Sequence, residues 1–410
     1  MRSFVLSLFF TVALVVGPGA ALAAERVNAV GKVVDADGKA IEHAAVLVYS
    51  AGVKKGFSLF CPTCYVDCGK HTFTDPDGKY SIVGLNSDLV FNLLVVREGY
   101  TATFLNKVDP QQGPAETAVL KKRKSPENPA QIIRGRVLDQ KGAPVRDALV
   151  EQHGAIFERS QSFGSSGWID LIAVTNEEGD FELAYTKPLD AAIVLVSPRA
   201  MAPTLATIST GSDRKVITVT EGASVRGRLL QSGKPVRQAE IGISTHSRAT
   251  WQSVSEVRIG TDEDGRFAIT NIPPGRIWYL YGKMEALAPH GLSADVVEFA
   301  TKEDGQDVNL GDIEVRPAYA LRGKVVLSDG NLIPPDMRIN LFSDRVPDSQ
   351  TMTLSPSGVF EFKGLTRGVY TLAPSVKGYE VRDRQSTEIL IEGDVSNLAV
   401  LLQPVTPMKR

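Results

Sequence analysis

The chain has 410 residues, with 45 Lys and Arg against 47 Asp and Glu and a formal net charge of −2. That balance excludes the basic footprint expected of a nucleic-acid binder or of a protein held on an anionic membrane surface. Its 36 glycines and 23 prolines suit a turn-rich β protein, and three cysteines are too few for a disulfide-stapled scaffold.

Residues 1–23 read as a cleaved signal peptide. Arg2 supplies the positive start, Phe4 to Val16 the apolar stretch, and Ala21-Leu22-Ala23 an A-x-A cleavage box. The stretch is shorter than a spanning helix requires. No cysteine follows the box, so no lipid anchor is expected, and no later segment is long and apolar enough to span. The mature chain is expected in the periplasm or outside the cell.

From there onward short apolar runs bounded by Gly, Pro or Asp predict strands, among them Ala45–Tyr49, Val90–Val96, Ala192–Val196 and Val369–Leu372. No segment sustains a 3.6-residue apolar period for three turns, which predicts little helix. One motif pair recurs four times. Gly followed by Lys or Arg appears at Gly31, Gly135, Gly227 and Gly323, spaced 104, 92 and 96 residues apart. Each is followed by a polar turn, then 35 to 47 residues later by a second turn that ends in Gly and an aromatic strand: Gly78-Lys79-Tyr80, Gly179-Asp180-Phe181, Gly265-Arg266-Phe267 and Gly358-Val359-Phe360. The first glycine suits a strand position closely approached by a bulky side chain. The second suits a turn needing positive φ.

A period near 100 residues is one small sandwich per repeat. The expected fold class is all-β: four tandem immunoglobulin-like or prealbumin-like β-sandwich domains behind the signal peptide. The domains are expected at 24–121, 132–221, 222–317 and 318–410, with residues 122–131 as a charged, Pro-containing linker. The later junctions are only a few residues long, so a semi-rigid rod is expected.

At these residues the chain resembles tandem carboxypeptidase regulatory-like domains, also described as transthyretin-like or prealbumin-like. The match is carried by Val30-Gly31-Lys32-Val33, Gly38-Lys39-Ala40-Ile41, Asp77-Gly78-Lys79-Tyr80 and Gly99-Tyr100 in the first unit. In the fourth it is carried by Gly323, Gly358-Val359-Phe360, Tyr370-Thr371-Leu372 and Gly378-Tyr379. Units two and three keep both Gly motifs and lack the closing Gly-Tyr. The resemblance implies a seven-stranded sandwich and an accessory role, and some members of the family bind carbohydrate.

The sharpest chemical feature is the run Cys61-Pro62-Thr63-Cys64-Tyr65-Val66-Asp67-Cys68-Gly69-Lys70-His71. Cys61, Cys64, Cys68 and His71 offer three thiolates and an imidazole, a ligand set suited to zinc or copper. In an oxidising compartment the same residues suit one disulfide with one thiol left over, and unpaired or intermolecular thiols are a third reading. Unit one has the longest spacing between its Gly motifs, so this loop reads as an insertion.

Catalytic patterns are missing. None of His43, His71, His153, His246 or His290 begins an H-x-x-E pair, and there is no H-E-x-x-H, G-x-S-x-G or phosphate-binding Gly loop. The D-x-D-G turns lack the remaining ligands of a calcium loop. As sugar platforms Trp168 and Trp251 are the candidates. Trp278 is expected in a core, with Tyr279 and Tyr281 turned outward. The pairs Arg134/Arg136 and Arg226/Arg228 read as a solvated strand face. The functional expectation is an exported, non-enzymatic binding or scaffold module of the envelope or cell exterior, whose partner would be carbohydrate or an envelope protein and not nucleic acid. The alternative is a metal-binding or thiol-redox protein using the Cys61–His71 loop.

Overall fold

The computed structural model describes residues 25–60, 62–63, 65–123, 129–158, 160–211, 214–245, 257–383 and 387–405. They fold as four tandem β-sandwiches. In the first, β1 (Arg26–Asp35) lies between β4 (Lys79–Asn86) and β7 (Ala118–Leu120). Against that sheet packs a second in the order β3 (His71–Phe73), β2 (Ala45–Val53), β5 (Leu89–Val96), β6 (Thr103–Val108). The second sandwich repeats this plan. β8 (Ile132–Leu138) lies between β12 (Asp180–Ala184) and β15 (Lys215–Thr218). The facing sheet runs β10 (Ser160–Phe163), β9 (Leu149–Phe157), β13 (Ala191–Ser197), β14 (Thr204–Ser209), with β11 (Ile172–Val174) beside β10 on the same edge of β9. Sandwiches three and four follow suit around Ala223–Gln231 and Tyr319–Leu327. In all four the first long strand pairs in parallel with the last strand of its unit.

The repeated residues explain why the plan recurs. Gly31 pairs with Tyr80, Gly135 with Phe181, Gly227 with Phe267 and Gly323 with Phe360, in one register. Each ring lies across its glycine. A Cβ there would meet the ring at 2.5, 2.3, 2.6 and 2.5 Å respectively, so no larger residue fits without displacing the ring. The second glycines sit at φ 73 to 75°, and each offers its carbonyl to the opposite strand at 2.8 Å, to Val33, Val137, Leu229 and Val325. Before the turn, Thr74, Thr175 and Thr261 are buried. Each hydroxyl accepts a backbone N–H at 2.8 to 2.9 Å and donates to a carbonyl at 2.6 to 2.7 Å. In unit four buried Leu354 takes that place.

The expected rod is not what forms. Units one and two share a buried apolar cluster of Ala45, Leu47, Leu94 and Val96 with Leu149, Ile172 and Val174. Fully burying one such large side chain is worth about 1.5–3 kcal/mol, so this contact holds the two sheets face to face. Units three and four are joined by α1 (Met284–Leu287). Met284 enters the core of unit four while Leu287 enters that of unit three. The loop after β2 reaches unit four, closing the row on itself. Short junctions limit how far neighbouring units can swing, but they do not encode the apolar faces and the loop that bring the units together.

Candidate functional site

The cysteine loop leaves β2 at Lys54, which pairs with Asp109. Gly56, at φ 82°, is pressed against Asp336 of unit four, where a Cβ would lie 1.9 Å from the carbonyl oxygen. Phe57 packs against the unit-four core, the Leu59 N–H donates to Ser375 Oγ at 3.2 Å, and Phe60 stacks on Phe342 at 5.4 Å. The loop then turns home. The Pro62 carbonyl accepts from the Ala51 N–H at 2.8 Å and from the Cys68 thiol at 3.4 Å. Buried Asp67 anchors the return through Arg26 at 3.2 Å, Lys70 at 2.8 Å and the Asn86 N–H at 2.8 Å. The insertion is therefore a strap between units one and four.

Of the four residues expected to bind metal, Cys61 and Cys64 lie outside the described residues. Cys68 is half-buried against the core of unit one. Burial, with Asp67 adding to it, pushes its thiol up to about 12, so at neutral pH it is a protonated, poor nucleophile. His71 is exposed at the start of β3, with Nδ1 3.1 Å from the Gly69 carbonyl. Among the described residues no three His, Cys, Asp or Glu side chains come together as a metal site.

Trp168 is 40% exposed. Lys187 Nζ sits 4.0 Å from its ring centroid, and Phe157 meets its edge at 5.8 Å, so one face is already taken. Trp251 and His246 lie outside the described residues. Trp278 is fully buried and donates through Nε1 to Thr301 at 3.1 Å. Tyr281, expected outward, is 1% exposed. It lies on the strand face opposite Trp278, where it fills the space over Gly242, and Lys283 two residues on is buried at the unit-four junction.

The D-x-D-G turns are accounted for by their own bonds. Asp75 Oδ1 accepts from the N–H groups of Asp77 and Lys79 at 3.0 and 2.8 Å. Asn176 and Asp262 repeat the pattern. The basic strand faces are cross-strand ion pairs: Arg134 to Glu182 at 2.9 Å, Arg136 to Asp180 at 2.7 Å and Arg226 to Asp307 at 2.8 Å. The hydrogen bond from Arg136, helped by the charge of Arg214, holds the Asp180 carboxyl below its usual range.

Sequence reasoning missed the junction of units one and two. A cleft of about 740 Å³ opens there, walled by Leu94 and Phe104 of unit one and by β11 and the edge of β12. At its rim Arg123 pairs with Asp170 at 2.6 Å and Arg214 with Asp180 at 2.9 Å. Beside it His43 Nδ1 lies 3.5 Å from Asp147, which Arg97 approaches at 3.7 Å and Arg146 at 3.1 Å. Glu151 and His153 share the outward face of β9, and burial pushes the carboxyl up and the imidazole down, both toward their neutral forms. A signal was present. Ala45–Tyr49 and Leu93–Val96 are apolar at consecutive positions rather than alternating, the pattern of strands covered on both faces.

No family model and no curated protein matches the chain. Among solved structures it is similar to the Bacillus anthracis TIE protein, at 13% identity and TM-score 0.20, covering 95% of this chain and 76% of that one. It is also similar to a Streptococcal ancillary pilin, at 13% identity and TM-score 0.24, covering 67% of this chain and 99% of that one. Two B repeat units of the collagen binding protein of Staphylococcus aureus align at 14% identity and TM-score 0.19, covering 93% and 100%. Likenesses this low carry no argument about activity. The β-sandwich assignment rests on the sheets themselves. Among the described residues no helix is long and apolar enough to cross a membrane.

Proposed function

We propose that the chain is an exported, non-enzymatic array of carboxypeptidase regulatory-like sandwiches that acts as a scaffold and binding module in the envelope or outside the cell. The observation that carries this reading is closure. The unit-one strap seated on unit four, together with the shared core of units one and two, makes four small domains one body with a fixed junction cleft. Ordering cost at binding is low when a surface is held in place beforehand. The polar residues of the repeated motifs are spent on turns and cross-strand pairs, which suits a scaffold better than a reaction centre. Small-angle X-ray scattering of the mature chain should fit the closed arrangement, and the pure protein should not turn over C-terminal peptide substrates with or without zinc. Scattering from an extended row, or turnover that follows the protein through purification, would sink the reading.

The cysteine loop supports a second reading, a zinc or copper site of Cys61, Cys64, Cys68 and His71. It is favoured by the fold-back in which the Cys68 thiol donates to Pro62, the residue next to Cys61. A metal would displace the proton that burial keeps on Cys68. Thiol titration separates the outcomes. With a metal, near one per chain, all three thiols become reactive together on chelation, and His71→Ala weakens binding. With a disulfide, one thiol titrates without reduction, slowly if it is the half-buried Cys68, two appear only after reduction, and His71→Ala changes nothing.

A further inference from the structure

Two strand edges in the second sandwich face the junction cleft, and that of β11 has no strand partner there among the described residues. β11 bonds to β9 through alternate residues. The Leu171 carbonyl accepts from the Gln152 N–H at 3.0 Å, and the Thr175 N–H donates to the Ala148 carbonyl at 3.0 Å. Ala173, opposite Val150, continues that ladder. Ile172 and Val174 therefore turn their N–H and C=O groups the other way, where among the described residues no strand pairs with β11. Across the cleft, the β12 residues on the open side are Asp180, Glu182 and Ala184. Asp180 is closed by the Asn176 N–H at 3.0 Å and Ala184 by the Asp170 N–H at 2.9 Å. Glu182 between them has no such backbone partner among the described residues.

We propose that this cleft binds an extended polypeptide segment, which adds as a strand to the free edge of β11. The proposal deepens the binding-module reading and rests on it. The outward groups of Ile172 and Val174 repeat at about 6.6 Å, the two-residue step of an extended chain. A polysaccharide has no matching series of donors and acceptors. The volume of about 740 Å³ lies in the range of ligand sites. Phe104, 38% exposed, gives the cleft an apolar wall, so alternate residues of the segment are apolar. Arg123 and Arg214 are neutralised by close carboxylates at 2.6 and 2.9 Å. Arg97 is held as well, 3.7 Å from Asp147 and donating to the His43 carbonyl at 3.4 Å.

The test is to pan a phage-displayed library of linear dodecapeptides on the full mature chain and to titrate the recovered peptides calorimetrically. Sequences with alternating apolar residues are expected. Val174→Pro removes the outward N–H and leaves the Ala173 ladder bonds in place, so it should weaken binding at least tenfold. Phe104→Ala should weaken it several-fold, and it serves as the test if Val174→Pro does not fold. On binding, the amides of Ile172 and Val174 should exchange with solvent more slowly. Three results would overturn the proposal: no enrichment over an uncoated surface, equal binding by the folded variants, or a glycan array that captures the chain through Phe104 where peptides do not. Failure with closed-form scattering defeats strand addition alone, whereas extended scattering defeats the scaffold reading beneath it.

Discussion

Gly135→Ala is expected to destabilise the second sandwich by about 3 kcal/mol, at the upper end of ordinary overpacking. The added Cβ would lie 2.3 Å from Phe181 Cζ and 2.4 Å from Cε1. The ring has nowhere to go, because Phe181 is buried in a core with Ile133, Val137 and Leu183. The backbone at Gly135 is not in the left-handed region, so the cost is one of space. Gly142, at φ 81° with nothing within 4 Å of its Cβ, is the opposite case, and Gly142→Ala should cost only about 1 kcal/mol of backbone strain. Thermal unfolding followed by Trp168 emission reads both. A loss of about 3 kcal/mol lowers the midpoint of a domain this size by more than 10 °C. Adding Phe181→Leu to Gly135→Ala should recover part of the loss, because the smaller side chain vacates the space the methyl needs. Additive losses in the double variant, or a shift no larger than that of Gly142→Ala, would remove the ring-over-glycine explanation for the fourfold repeat.

How much of this was legible beforehand differs by feature, and the differences are physical. The Gly and aromatic motifs were readable because each encodes a contact within one unit. A missing Cβ and a ring some 35 to 47 residues later specify one strand register. The turns were readable because Asp or Asn followed by Gly carries its own local bonds. The Trp278 core position followed from strand alternation. Contacts between units have no such local code. Tyr281 obeyed the alternation and was still buried, because the face it turned to lies at a junction rather than in water. The strap was recognised as an insertion by its length, but nothing in Gly56-Phe57-Ser58-Leu59-Phe60 names Asp336, Phe342 or Ser375 as its seat. Its two phenylalanines in a polar-looking loop were the available hint, since exposed aromatics that close together usually have a surface to cover. The candidate site was the least legible part. Of the four residues named for metal, two fall outside the described residues. The cleft that now stands as the binding candidate is built by β12 and by the free edge of β11, which no sequence motif marks.

The second large effect is expected at the junction of units three and four. Lys283 and Asp348 form an ion pair there, with side chains 3% and 2% exposed. Asp348 also accepts from the N–H of Met284 at 2.8 Å and of Ser349 at 3.0 Å, so one carboxylate satisfies a buried cation and two backbone donors. Asp348→Ala strands all three and should cost about 3–5 kcal/mol. Lys283→Met should cost somewhat less, because the carboxylate it leaves without a counter-ion still accepts both backbone bonds and the Met stem replaces the apolar part of Lys283. Combining the two should be milder than Asp348→Ala alone, since no ammonium is left without a counter-ion. The difference follows from the two backbone donors that only Asp348 serves, and the size of both costs from burial, since an exposed pair of the same geometry is worth only about 0–1 kcal/mol. Urea unfolding followed by the emission of buried Trp278 reports on unit three, and limited proteolysis reports on whether α1 stays seated in unit four. If Asp348→Ala shifts the transition by less than 1 kcal/mol, or if Lys283→Met added to it brings no recovery, the pair is not what locks this junction. The contact would then rest on apolar packing, Met284 in the unit-four core and Ala288 against Gly364, and Met284→Ala rather than Asp348→Ala would release unit four.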